Sequence, residues 1–178
     1  MAARIPMLKD EDLPPEILEY ITKVRETGTG SVNLSNMLCN VPASMKEFNA
    51  MGGTILFRSE LEARKRETAV LRIAHITKAA YEWHHHSRFG KRVGLTDEEI
   101  AKIAVDGPVT ALDEEGNLLC RVADEITLHI RLSDEALALT LERYGPRQTT
   151  ELILCCCWFN LVSRFLESTG IEIETAER

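Results

Sequence analysis

The sequence predicts an all-α fold, and three observations carry that expectation. Apolar residues recur at helical spacing in one run after another, many of these runs open on a capping residue or proline and close on glycine, and strand-type alternation is sustained nowhere. The stretch that comes nearest to a strand, "IEIET" close to the C-terminus, is too short to found a sheet.

In chain order, "DLPPEILEYITKVRETGTG" predicts a first helix. Its prolines sit at the start, Ile17, Leu18, Ile21 and Val24 form its apolar face, and glycines stop it. "SVNLSNMLCNVPASMKEFNAMGG" predicts a short segment, a break at Pro42 and a second helix from near Ser44. Ser44 and Glu47 there have the S-x-x-E spacing of a capping box. The longest run, "SELEARKRETAVLRIAHITKAAYEWHHHSRFGKRVG", reads as one helix capped by Ser59, with Glu60 and Glu62 at its positive end and Gly94 as its stop. "TDEEIAKIAVDG" adds a helix capped by Thr96, with Glu99 three residues on and Gly107 as terminator. "LDEEGNLLCRVADEITLHIRL", "SDEALALTLERYG" and "PRQTTELILCCCWFNLVSRFLESTG" complete the series, Gly145 ending one helix and Pro146 opening the next.

A chain of 178 residues is most simply one domain, and 44% apolar with 28% charged residues is ordinary for a globular protein. No stretch approaches the ~20 apolar residues of a membrane span, and the start "MAARIPMLKDEDLPPE" has no apolar h-region, so the expectation is a cytoplasmic protein without a membrane partner. A net charge of −7 lacks the basic footprint of a nucleic-acid binder. Any anion site therefore needs locally placed Arg or Lys. The five cysteines, an odd number with no C-x-x-C among them, predict reduced thiols. Cys155, Cys156 and Cys157 point about 100° apart on a helix, so they cannot form one metal face and read as small buried hydrophobes. No metal and no cofactor are expected.

The stretch richest in chemistry is "ITKAAYEWHHHSRFG". Glu82 and His86 lie one helical turn apart on one face, with Cβ atoms ~6 Å apart. His84 and His85 are rotated from Glu82 by roughly 200° and 300°, so the three histidines fan out and make a poor zinc site. Glu67 points within roughly 60° of Glu82, but ~22 Å of straight helix would separate them, so a shared site requires a break or bend.

"RETAVLRIAHITKAAYEWHHHSRFGKRVGLTDEEIAKI" resembles the core of the carboxymuconolactone decarboxylase and alkyl hydroperoxidase D-like superfamily. The match rests on Arg66 and Glu67, on Tyr81 to Trp83, on His86, and on "GLTDEEI" from Gly94 to Ile100. The resemblance spans roughly residues 34 to 172. It implies a single decarboxylase-like helical domain over 1–178, with a core motif at 59–107 and N-terminal helices over 1–58. It also implies a homo-oligomer, a trimer or hexamer with a dimer as the smaller alternative. The hydroperoxidase branch carries Glu, eleven residues, Cys, two residues, Cys, three residues, His. Here those positions hold Glu67, Ala79, Glu82 and His86, so both thiols are missing and dithiol peroxide reduction is excluded at this site.

The expectation is a decarboxylase-like lyase acting on a small lactone or keto acid carboxylate by proton transfer, with Glu67, Glu82 and His86 as catalytic residues. Tyr81, Trp83 and His85 would line the pocket. Among Arg58, Arg64, Arg66, Arg72 and Lys78, the last two come closest in direction to Glu82 and would hold the carboxylate. Two alternatives stand beside it: a thiol-dependent hydroperoxidase using Cys120 or Cys155 to Cys157, and a non-enzymatic oligomeric binding or stress-response module.

Overall fold

The computed structural model describes residues 3–26 and 32–174. These form eight α-helices: α1 (Pro15–Glu26), α2 (Val32–Leu38), α3 (Pro42–Phe57), α4 (Ala63–Thr77), α5 (Ala80–Arg92), α6 (Asp97–Ile103), α7 (Glu114–His129) and α8 (Asp134–Thr169). No strand occurs among the described residues, and the all-α expectation is met. Ile171 to Glu174 run without regular structure, and the glycines expected to stop α1 lie outside the described residues.

Helix α4 is the axis of the fold. Its residues from Arg66 to Ala74 are all buried, nine in succession, so the helix has no solvent face over this span. Ala69, Val70 and Ile73 meet Leu119, Val122 and Ala123 of α7 and Leu152, Cys155 and Phe159 of α8. Leu71 turns the other way, toward Leu95, Ile100 and Ile103 around α6. An element enclosed on all sides cannot leave charge unpaired, so Arg66, Glu67 and Arg72 must each find partners inside the protein.

The largest departure from the sequence reading is that the long run is not one helix. It ends at Thr77, reverses through Lys78 in a left-handed conformation (φ +56°), and restarts as α5 at Ala80. Lys78 N–H donates to His75 O and Ala79 N–H to Ala74 O, which closes the α4 C-terminus. Periodicity could not reveal this break, because no glycine marks the left-handed residue and the apolar spacing continues through it.

Local signals fared unevenly. Thr96 and Glu99 form the expected capping box at α6. Ser133 and Asp113 cap α8 and α7. Gly145 breaks α8 at φ +68°, immediately before Pro146. The Ser44 box does not form, because Pro42 takes the first helical position of α3 and the helix starts two residues earlier. Ser59 does not cap α4, which begins at Ala63. Its hydroxyl donates to Glu151 (2.9 Å) and accepts from Leu61 N–H (3.2 Å), tying the α3–α4 turn to α8. Gly107 lies beyond the end of α6, in the following loop, at φ +81°. By length and composition α8 could cross a membrane, contrary to the reading of the sequence, but half of its apolar window is buried within the fold. Four cysteines are buried as expected, and Cys157 is exposed.

Candidate active site

The α4–α5 reversal folds α5 back along α4. It brings His86 against Glu67, although a straight helix would carry them far apart. Nδ1 of His86 lies 2.6 Å from Oε2 of Glu67, which is completely buried. On the other side of the ring, Nε2 is 3.4 Å from Oε2 of Glu82, too poorly aligned to make a hydrogen bond. Phe159 of α8 meets the imidazole edge to face at 4.8 Å and walls it from solvent. Arg66 completes the group, its Nε donating to Glu67 Oε1 at 3.3 Å.

The three sequence-predicted acid–base residues are therefore brought together, with their roles divided by distance. Glu67, not the one-turn neighbour Glu82, orients the imidazole. For His86, burial opposes the charged ring, but the charge and hydrogen bond of Glu67, with Glu82 adding to them, outweigh it and raise the pKa. For Glu82, burial disfavours the carboxylate more than His86 favours it, and Glu67 adds repulsion, so its pKa also rises. Glu67 thus favours the protonated imidazole, and burial disfavours the ionised form of the Glu82 carboxyl that faces it. Oε2 of Glu82 is fully buried and has no hydrogen-bond partner among the described residues. A buried polar atom without a partner is expensive in free energy, and such atoms concentrate where a ligand completes the site.

The residues expected to hold substrate lie elsewhere. Tyr81 donates to Glu174 Oε1 (2.6 Å), and His85 Nε2 approaches Glu174 Oε2 (2.9 Å), while the same carboxylate accepts from Asn33 N–H (2.8 Å). The Tyr81 and His85 rings meet at a tilt of 46° with centroids 4.5 Å apart, and the pair fastens the C-terminal segment to α2 and α5. Trp83 borders a groove of about 1380 Å³ with His75, Lys78 and His84. Glu67, Glu82 and His86 are not among its lining residues.

Arg72 is committed to structure. It pairs with Asp124 (Nε–Oδ1 2.5 Å) and donates to the carbonyls of Ile103 (3.0 Å), Val105 (2.8 Å) and Gly107 (2.6 Å), which anchors the loop after α6. Lys78 is the exposed residue of the helix reversal. Neither reaches the Glu67–His86 pair. Helical direction alone favoured them, because it assumed a continuous helix. Phe159 and Glu174 were missed, having no local pattern to mark them.

Residues 42–125 match the model of the carboxymuconolactone decarboxylase family. No curated protein matches the chain. Among solved structures, the chain is similar to the alkylhydroperoxidase D core of an uncharacterized peroxidase-related protein from Ralstonia eutropha JMP134. The TM-score is 0.79 at 15% identity, covering 97% of this chain and 92% of that one. An uncharacterized peroxidase-related protein from Silicibacter sp. TM1040 is similar with a TM-score of 0.78 at 18% identity, covering 97% and 91%. A protein of unknown function from Agrobacterium tumefaciens matches with a TM-score of 0.64 at 18% identity, over 75% of this chain and 92% of that one. At such identities the likeness is one of fold. The family match covers the helices that hold Glu67, Glu82 and His86, and nearly the whole chain shares its fold with these peroxidase-related structures.

Proposed function

We propose that the chain is a decarboxylase-like lyase that acts on a small lactone or keto acid carboxylate by proton transfer between Glu82, His86 and the substrate. The observation that carries the reading is the buried Glu67–His86 pair, at 2.6 Å, facing a carboxyl oxygen of Glu82 that no described residue hydrogen-bonds. When a γ-carboxylated butenolide loses CO2, the electrons of the breaking C–C bond pass into the ring and leave an oxyanion. The Nε2–H of His86 stabilises that oxygen, and the carboxyl of Glu82 delivers a proton to carbon, later regaining one from solvent. Glu67 keeps the ring charged and correctly turned throughout. We place this chemistry in a homo-oligomer, consistent with exposed apolar side chains such as Phe57, Leu128, Ile130 and Leu161.

The test follows ultraviolet absorbance during decarboxylation of γ-carboxylated butenolides. His86→Gln and Glu82→Gln should each lower turnover at least ~10²-fold. Turnover within a few fold of wild type in both variants would remove these groups from the mechanism.

A thiol peroxidase is the second reading, favoured by the description of two structural neighbours as peroxidase-related. Against it, burial raises the pKa of Cys155 and Cys156, and pushes Cys120 up to about 12, which suppresses thiolate formation. Peroxide consumption with a dithiol reductant that is abolished by alkylation would favour this reading over the lyase.

A further inference from the structure

A ligand carboxylate brought to the Glu67–His86 pair needs a cation; of the two favoured by sequence, Arg72 is engaged elsewhere and Lys78 lies on the exposed helix reversal. Arg66 adjoins the pair. It is 97% withdrawn from solvent (3% exposed), sits in the wholly buried stretch of α4, and adjoins Glu67, the carboxylate that orients His86. Among the described residues its guanidinium makes one hydrogen bond, Nε to Glu67 Oε1, at a long 3.3 Å. The two terminal nitrogens have no ion-pair partner there, unlike those of Arg72, which meet a carboxylate and three carbonyls.

The charge balance of the cluster points the same way. Arg66 and His86 both address Glu67, so two cations share one carboxylate. Glu82 faces them with an oxygen that no described residue hydrogen-bonds, and burial disfavours its ionised form. A further anion would give the two cations a second counter-ion. The planar fork of an arginine suits the two oxygens of a carboxylate.

We propose that Arg66 is the substrate-anchoring residue of this site: its free guanidinium nitrogens bind the carboxylate of a monoanionic ligand and set the rest of that ligand against His86 Nε2 and Glu82 Oε2. This rests on the proton-transfer reading for the ligand's place in the site. It assigns the selection of anionic over neutral ligands to one residue. Arg66 binds the ligand and takes no part in moving protons.

The experiment uses the full chain and two planar probes of equal size, 2-furoate and the neutral 2-furamide. Titration calorimetry measures affinity, and nuclear magnetic resonance of the His86 ring reports location. Wild type should bind furoate at least about tenfold tighter than furamide, with the His86 resonances shifting. Arg66→Gln should abolish that preference while leaving furamide binding within about threefold. Arg66→Lys keeps the charge but loses the fork, and it serves where the Gln variant fails to fold; it should fall between the two. Equal binding of the two probes by wild type, furoate affinity unchanged in both variants, or no binding of either probe would overturn the proposal. Failure of the proton-transfer reading is read separately. His86→Gln that keeps full turnover while furoate binding still depends on Arg66 would sink that reading and leave the anchor standing.

Discussion

Replacing Glu67 by Gln tests the central pairing most directly, because it preserves shape and removes one charge. Two buried cations then lose their shared carboxylate: the imidazole at 2.6 Å and the Arg66 guanidinium at 3.3 Å. Breaking a buried pair by removing one partner costs about 3–5 kcal/mol. Arg66 cannot shed its charge, but His86 can, so the penalty depends on pH. In the wild type the His86 pKa is raised above its unfolded value near ~6.5. Its contribution to stability is thus fully present below about pH 6.5 and fades as pH climbs through the folded-state value. In the variant, burial acts without the opposing carboxylate of Glu67, the His86 pKa falls, and folding at low pH must expel a proton from the ring.

The difference in unfolding free energy between the two proteins should therefore be largest near pH 5.5, about 3–5 kcal/mol. It should shrink as pH rises, leaving the smaller Arg66 part. Urea unfolding from pH 5.5 to pH 9, with the His86 ring followed by nuclear magnetic resonance, measures both quantities. A difference below about 1 kcal/mol at every pH, or one that grows toward alkaline pH, would refute the electrostatic account of the site.

Two further outcomes follow from the same coordinates. Arg72→Met should destabilise the fold by about 3–5 kcal/mol in urea, because it strands Asp124 and three loop carbonyls. If that variant folds, its affinity for 2-furoate should match the wild type, since Arg72 does not reach His86. Lys78→Gly should raise stability by roughly 0.5–1 kcal/mol, since a lysine holds φ +56° only against steric strain that glycine lacks. An unchanged or lowered urea midpoint for Lys78→Gly would mean that the reversal does not carry that strain.

The helical class, most helix positions and the titratable residues that the fold gathers around His86 were legible in the chain. Each rests on local physics: apolar spacing at 3.6 residues, caps such as Thr96 with Glu99, and breakers such as Gly145 before Pro146. Glu67, Glu82 and His86 could be singled out by residue type, spacing and resemblance, but their distances could not. These depend on a reversal at Lys78 that no breaker residue announces.

The cations show the same limit. Sequence placed Arg66 and Arg72 on one helix and ranked them by direction, an argument that holds only while the helix is straight and has an outside. In the fold α4 is enclosed, so each arginine is defined by its neighbours: Arg72 meets Asp124 from α7 and the carbonyls after α6, whereas among the described residues Arg66 hydrogen-bonds to Glu67 alone. Local sequence thus determined where helices form and which groups can carry protons. Tertiary packing decided which charges are satisfied, because burial turns every unpaired group into a constraint that only distant parts of the chain can meet.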